Sequence, residues 1–165
     1  GGFAAFLIVR YFYFQSPLVF GTPAPAFSAV CTDGRTIHLD SMRGDFVFLD
    51  FWGSWCGPCR KSNRIYAMFY RQYREASFKD AKGIRFVSVA LEKNRQNGLD
   101  AILADGLQWP DQVIEEGMLE GPVAKLYTIR KVPTSFLIGP DGRIILTDPD
   151  IKELDDYLAH NRLKN

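Results

Sequence analysis

The alternation of apolar and polar residues predicts the strands of this chain. Apolar residues alternate with others over 27–31 and the pattern returns over 35–39 after an Asp-Gly turn, which predicts an antiparallel hairpin. Residues 46–52 and 84–91 are apolar almost throughout, as is typical of strands that are covered on both faces. A second hairpin is predicted over 135–147, where Gly-Pro-Asp-Gly separates two β-forming segments.

Segments with helical spacing of apolar residues lie between these strands and at the end of the chain. The strongest runs from Ile65 to Ala76, and weaker ones cover 98–105 and 122–127. A last helix is predicted with Asp148 as its cap and Pro149 as its first residue. A strand, a helix and a strand in succession favour two parallel strands with a right-handed crossover. The sequence therefore predicts an α/β fold with a central mixed sheet, helices on both faces and an N-terminal β-hairpin.

The first twenty residues differ from the rest of the chain. Residues 3–9 are apolar, and Arg10 then precedes four aromatic residues at 11–14. The chain does not begin with Met, so we expect it to be a piece of a longer protein. Seven apolar residues are too few to cross a bilayer, which needs about 20. We therefore treat 1–20 separately from a domain at 21–165, either as the remnant of a membrane anchor or as a strand of a preceding domain.

Composition and charge narrow the range of partners. The 165 residues carry a formal net charge of +1, which argues against nucleic acid as a partner. Three cysteines cannot form a disulfide scaffold, and Cys31 is expected to be a buried strand residue. His38 and His160 match no spacing of metal ligands, and the chain contains no glycine fingerprint for a nucleotide. We therefore predict neither a metal nor an organic cofactor.

The sequence Cys56-Gly57-Pro58-Cys59 carries the most specific chemistry. If a strand ends just before it and a helix begins within it, the first sulfur lies at a helix N-terminus, where exposed N–H groups favour thiolate over thiol. A thiolate is the species that attacks disulfides, so the motif predicts thiol–disulfide exchange. Pro58 lacks an N–H group, is tolerated in the first turn and stiffens the segment between the sulfurs.

A zinc half-site is the alternative interpretation of two cysteines at this spacing. It would need two further thiol or imidazole ligands. The rest of the sequence offers Cys31, His38 and His160. Since these three residues show no matching spacing, we prefer the redox interpretation.

Several motifs together resemble the thioredoxin family. Residues 49–59 (Leu-Asp-Phe-Trp-Gly-Ser-Trp-Cys-Gly-Pro-Cys) and the Val-Pro-Thr segment at 132–134 carry this resemblance. Pro-Ala-Phe at 25–27 and Gly-Pro-Asp-Gly-Arg at 139–143 are similar to the membrane-tethered TlpA/ResA branch of bacterial thiol–disulfide oxidoreductases. The resemblance covers about 23–163. It implies a thioredoxin-like fold and a location in the periplasm or elsewhere outside the cytoplasm.

The resemblance also implies catalytic roles. Cys56 would be the exposed attacking thiolate, and Cys59 would resolve the mixed disulfide, leaving a Cys56–Cys59 disulfide. Asp50, an acidic residue in an apolar strand, would have a raised pKa and carry a proton for Cys59. Pro133 resembles the family's cis-proline, which leaves the backbone of Val132 free to pair with an extended substrate. An aspartate bonded to local groups and an ordinary trans-proline are the alternatives.

The remaining candidates are substrate-binding residues around the sulfurs. Trp52 and Trp55 are expected to shield the sulfurs and form a docking surface, with Trp55 the better candidate for contact. Gly57 and Pro58, between the cysteines, and Thr134, after the proline, are assigned to the same surface. Core packing is the alternative for either tryptophan.

The start of the helix after the cysteines departs from the tethered branch. Arg60, Lys61 and Arg64 stand where relatives often carry Glu and Pro. Three cations near Cys56 would stabilise its thiolate and make the disulfide more oxidising than that of thioredoxin. The alternative is a solvated charged face. Glu92 comes just after a predicted strand, at the edge of the sheet where the cysteines are expected. It has no assigned role.

Taken together, these features predict a thiol–disulfide oxidoreductase that reduces protein disulfides. Its partners would be a disulfide-containing protein and an upstream dithiol donor, with a possible membrane tether through the N-terminus. A disulfide oxidase or isomerase on the same fold is the first alternative. A thiol peroxidase would use a single cysteine with Thr and Arg nearby, and a redox-inert binding module would lack one of the two cysteines.

Overall fold

The computed structural model describes residues 1–164 of the chain. These residues contain seven strands and five α-helices. The strands are β1 (Ser28–Val30), β2 (Thr36–His38), β3 (Phe46–Trp52), β4 (Ile84–Leu91), β5 (Asp111–Glu115), β6 (Thr134–Ile138) and β7 (Ile144–Thr147). The α-helices are α1 (Gly2–Phe14), α2 (Gly57–Tyr73), α3 (Arg95–Asp105), α4 (Pro122–Leu126) and α5 (Ile151–Asn161). Short 3-10 helices cover Leu39–Met42 and Met118–Glu120.

Five strands form one mixed sheet in the order β5-β4-β3-β6-β7. β3 and β4 are parallel, as are β4 and β5, whereas β6 runs antiparallel to both β3 and β7. β1 and β2 form a separate antiparallel hairpin. The predicted mixed sheet and N-terminal hairpin are therefore confirmed.

Buried residues lie on both faces of this sheet because successive side chains of a strand alternate between its faces. Phe48 and Trp52 of β3 belong to a buried cluster with residues of α2, α3 and α5. Leu49 and Phe51 belong to a second cluster with residues of β2 and α4. Burying one such side chain completely stabilises the fold by about 1.5–3 kcal/mol. The strand that leads into the cysteines is therefore firmly held, and helices cover both faces as predicted.

Strand β5 is an element that the hydrophobic pattern did not predict. Its five residues are all buried, although three of them are polar or charged. Asp111 accepts a hydrogen bond from Arg85 at 2.6 Å, and Glu115 accepts one from the backbone N–H of Val123 at 2.7 Å. Because these partners satisfy the buried carboxylates, a polar sequence can occupy a buried strand.

The last helix begins later than predicted. Asp150, not Asp148, is its N-cap and accepts a hydrogen bond from the backbone N–H of Glu153 at 2.8 Å. Asp148 has a φ of 50° and its backbone N–H donates to the carbonyl oxygen of Ser135. Asp148 therefore ends the β-hairpin region, and the predicted cap was wrong by two residues.

Residues 2–14 form a helix, so the interpretation of this segment as a strand was wrong. Strand propensity reflects packing against neighbouring strands, and the side chains from Gly2 to Tyr13 are exposed. The helix touches the rest of the molecule through Arg130, whose guanidinium lies 4.4 Å from the ring centre of Tyr13 and donates to the carbonyl oxygen of Tyr13. Among the described residues, 1–164, no helix is both long enough and apolar enough to cross a membrane.

Candidate active site

The two cysteines of the Cys-Gly-Pro-Cys sequence lie where β3 leads into α2. Cys56 is the N-cap of α2, and a disulfide joins it to Cys59, with the two Cα atoms 5.2 Å apart. The backbone N–H of Cys59 donates to the sulfur of Cys56 at 3.2 Å. The first sulfur therefore lies at the positive end of the helix dipole, in contact with one of the N–H groups that the helix leaves free.

The accessibility of the two sulfurs differs from the expectation. Cys59 is 1% exposed and Cys56 is 6% exposed, so Cys56 is not the openly exposed residue that the sequence predicted. Gly57 and Pro58, between them, are exposed.

The Val-Pro-Thr segment lies against the cysteines. The Val132–Pro133 peptide bond is cis, and the carbonyl oxygen of Val132 is 3.9 Å from the sulfur of Cys56. Val132 and Pro133 are half-buried, whereas Thr134 is buried and its hydroxyl donates to the carbonyl oxygen of Lys131 at 2.9 Å. Two of the three predicted residues thus reach the surface beside Cys56, and the Thr134 side chain points inward.

Asp50 is buried on the face of β3 that packs against α2. It is 1% exposed and pairs with Ser88 of β4 and Ser135 of β6 across the sheet. Within the described residues, its Oδ1 has no hydrogen-bond partner, which does not favour the alternative of a simple local bond. Burial, with a further contribution from the charge of Asp148, raises the pKa of Asp50 to about 8. Asp50 can therefore hold a proton at neutral pH.

The two tryptophans occupy different environments. Trp52 is completely buried, whereas Trp55 is 54% exposed and its indole N–H donates to the carbonyl oxygen of Leu91 at 2.8 Å. A Cβ atom on Gly53 would lie 2.5 Å from the indole nitrogen of Trp55, so this position requires glycine for the ring to lie there. Trp55 is therefore available for contact, and Trp52 belongs to the core.

The contact between Ser54 and Glu92 was not predicted from the sequence. The backbone N–H and the hydroxyl of Ser54 donate to the two carboxylate oxygens of Glu92 at 2.6 and 2.7 Å. Glu92 is 1% exposed although it follows the end of β4. The signal that could have found it is a carboxylate directly after a buried strand, at the carboxyl edge of the sheet where α/β sites usually lie.

Arg60, one of the three cations predicted near Cys56, is paired with a carboxylate. Its guanidinium forms two hydrogen bonds, at 2.6 and 2.9 Å, with the carboxylate of Asp105, whose side chain is buried. These hydrogen bonds raise the pKa of Arg60. Asn63 donates to the same carboxylate at 3.0 Å. Lys61 and Arg64 are exposed. The effect of these cations on the Cys56 thiolate stays a prediction, and the pairing with Asp105 weakens the contribution of Arg60.

The residues considered for a zinc site lie in unrelated places. Cys31 is buried and pairs with Val113 in an isolated bridge, and burial raises the pKa of its thiol. His38 has its Nδ1 2.6 Å from the hydroxyl oxygen of Ser28. Within residues 1–164, the structure brings together no group of three or more His, Cys, Asp or Glu side chains that could hold a metal ion.

Comparison with known proteins identifies the family of this chain. A family model described as Thioredoxin-like matches residues 44–144, more than half of the sequence. The chain belongs to the thioredoxin-like family.

Curated and solved relatives agree with this thioredoxin-like assignment. The chain is 31% identical to the thiol-disulfide oxidoreductase ResA of Bacillus thuringiensis subsp. konkukian over 151 residues, which cover 90% of this chain and 82% of the relative. It is 26% identical to ResA of Geobacillus thermodenitrificans, covering 89% of this chain and 82% of the relative. The solved thiol-disulfide oxidoreductase of Bacteroides fragilis superposes with a TM-score of 0.73 at 29% identity, over 84% of this chain and 98% of that one. The predicted thioredoxin-like fold and the TlpA/ResA type are confirmed.

Proposed function

We propose that this chain is a thiol–disulfide oxidoreductase that reduces disulfides in protein substrates. The predicted enzyme class is confirmed by relatives that bear this name. The observation that carries the proposal is the Cys56–Cys59 disulfide at the start of α2, where the N–H of Cys59 meets the sulfur of Cys56. A reversible disulfide at a helix N-terminus is the arrangement that thiol–disulfide exchange requires.

The reaction takes place in two exchange steps. In the dithiol form, the Cys56 thiolate attacks one sulfur of the substrate disulfide; the substrate S–S bond breaks and its second sulfur leaves as a thiolate that takes up a proton. The Cys59 thiol then loses its proton and attacks the Cys56 sulfur, which releases the second substrate thiol and forms the Cys56–Cys59 disulfide. A second dithiol protein, the upstream donor, reduces this disulfide and restores the starting form.

Asp50 is the proposed proton acceptor for the second step. A group is an efficient acid or base when its pKa lies near the working pH, and the pKa of Asp50 is raised to about 8. Asp50 lies on the face of β3 that packs against α2, the helix that carries Cys59 in its first turn. We assign it a proton-carrying role on this basis.

The proposed docking surface consists of Trp55, Gly57, Pro58, Val132 and Pro133. These residues are exposed or half-buried, and the carbonyl oxygen of Val132 lies 3.9 Å from the Cys56 sulfur. An extended substrate segment would pair with this backbone by strand addition, with its disulfide next to Cys56. Thr134 would support this loop from inside through its bond to the Lys131 carbonyl oxygen.

The reduction potential of the Cys56–Cys59 pair tests the proposed direction of exchange. The pair is equilibrated with glutathione or dithiothreitol, alkylated and read by mass. We expect a two-electron couple at about −270 mV, the value of a thioredoxin-like reductant. A value of about −120 mV would support the oxidase alternative. If the pair does not exchange with either reagent, the alternative of a redox-inert binding module is supported. If one cysteine consumes peroxide, the alternative of a thiol peroxidase is supported.

We also propose that residues 1–20 tether a catalytic domain, residues 21–165, to a membrane, and that this domain lies outside the cytoplasm. The apolar side chains of α1 support this, since Phe3 and Phe12 are 77% and 67% exposed. A contiguous apolar surface of this kind is unfavourable in water and favourable at a lipid interface. The aromatic residues near the end of α1 suit the headgroup region.

Vesicle binding tests the tether. We expect the chain to sediment with vesicles of phosphatidylethanolamine and phosphatidylglycerol, and joint replacement of Phe6, Ile8 and Phe12 by serine to weaken this binding at least about tenfold, because three apolar side chains no longer leave water. Replacing Met68 and Leu103, which are 57% and 81% exposed on other helices, by serine is the control. Equal binding by all three proteins would contradict the tether.

A further inference from the structure

The turn before Cys56 is fixed by contacts from two other elements. The backbone N–H of Cys56 donates to the carbonyl oxygen of Gly53 at 3.1 Å, which closes the turn. Glu92, after β4, accepts two hydrogen bonds from Ser54, and Leu91 accepts one from the Trp55 indole. Every residue of the turn is therefore bonded, either within it or to the end of β4.

A second buried carboxylate is linked to the same turn through Arg60. Arg60, the residue after Cys59, donates to the carbonyl oxygen of Ser54 at 3.3 Å. Arg60 is itself held by the two hydrogen bonds that its guanidinium donates to the carboxylate of Asp105, at the end of α3. Glu92 and Asp105 thus both act on Ser54, one directly and one through Arg60.

Neither carboxylate has a role in the exchange steps described above, and burying carboxylates is costly unless they are well bonded. We propose that Glu92 and Asp105 are positioning residues that favour the disulfide form of the Cys56–Cys59 pair by holding Ser54 and Arg60, the two residues that flank the cysteines in the sequence and bond to each other. This inference rests on the proposed function, because it concerns the redox equilibrium of that pair.

Two physical effects act in the same direction. First, the fixed turn keeps Cys56 beside Cys59, which raises the effective concentration of one thiol at the other and so favours the bond between them. Second, Asp105 neutralises the cation nearest the cysteines in sequence, and Glu92 adds a negative group bonded to the turn before Cys56. A dithiol is stabilised when its thiolate is stabilised, so these carboxylates disfavour the dithiol. The pair becomes a stronger reductant through both effects.

The equilibrium constant of the full chain with dithiothreitol tests this inference. We expect Glu92→Gln and Asp105→Asn each to shift the equilibrium toward the dithiol by about threefold or more, which is about 14 mV when a tenfold change is 29.6 mV. Ser54→Ala removes one bond to Glu92 and keeps both carboxylates, so we expect a smaller shift in the same direction. Glu116→Gln is the matched control, since Glu116 is an exposed glutamate just after β5.

The outcomes separate this inference from the proposed function. If Glu92→Gln and Ser54→Ala fold and keep the wild-type equilibrium constant, the inference is overturned, even if their thermal stability falls, because that pattern indicates a structural role only. If Glu92→Gln does not fold, Ser54→Ala decides by itself, and a wild-type constant in it overturns the inference. A wild-type pair that does not exchange with dithiothreitol would overturn the proposed function, and this inference with it.

Discussion

Replacing Cys59 by serine is expected to trap the protein in a mixed disulfide with its substrate. Cys56 still attacks, because its sulfur keeps the N–H of residue 59 and the N-terminus of α2. The second step fails because no thiol remains to attack the Cys56 sulfur. Turnover should fall by a factor on the order of 10³ or more, as for loss of a nucleophile elsewhere. The adduct is measured by non-reducing electrophoresis and mass spectrometry with a disulfide-containing protein such as insulin.

Two further variants identify the attacking sulfur. Cys56→Ser should lose both turnover and the adduct, because Cys59 is buried and lies behind Cys56. Cys31→Ala should behave as the wild type, since Cys31 is buried in the cluster on the opposite face of the sheet. An adduct that persists in the double variant Cys56→Ser, Cys59→Ser, or that disappears with Cys31→Ala, would contradict the assignment of Cys56 as nucleophile.

The parts of the fold that could be predicted are those with a local signal. β3 and β4 are continuous apolar segments between turn signals, and the structure confirms their predicted bounds, 46–52 and 84–91. β5 carried no such signal, because it contains the charged residues Asp111 and Glu115. Their burial depends on hydrogen bonds from residues elsewhere in the chain, which the local sequence does not reveal. The strand alternative for residues 2–14 failed because the same aromatic and branched residues suit a strand or an exposed helix when no packing partner is known.

The same distinction applies to the candidate site. The Cys-Gly-Pro-Cys and Val-Pro-Thr sequences are local motifs, and the structure brings the Val132 carbonyl oxygen next to Cys56. The contacts that hold the site are between residues distant in sequence: Ser54 with Glu92, and Arg60 with Asp105. Nothing in the charge of Arg60 alone reveals that a buried carboxylate neutralises it. Charge close to a motif in sequence is therefore weak evidence of charge at the site.

Replacing Asp50 by asparagine is expected to change the pH dependence of stability. The folded-state pKa of Asp50 is about 8, against an ordinary value of 3.8. Between these values the folded protein keeps a proton that the unfolded chain has lost, so the wild-type free energy of unfolding falls as pH rises. The free energy of unfolding of the variant, relative to that of the wild type, should rise by an amount on the order of 5 kcal/mol between about pH 4 and pH 8. Urea unfolding across this range measures it, with the exposed Asp80→Asn as control.

The same variant separates a buried acid from a proton carrier. If Asp50 accepts the Cys59 proton, the rate of mixed-disulfide resolution in the wild type should rise with pH through a step near pH 8, as Asp50 ionises. Asp50→Asn should lack this step and resolve more slowly at and above pH 8, because asparagine cannot take up the proton. The mixed disulfide is formed first, and the rate of its resolution is then measured by stopped flow at each pH. If the stability changes as expected while both pH profiles coincide, Asp50 is a destabilising buried acid and Cys59 loses its proton by another route.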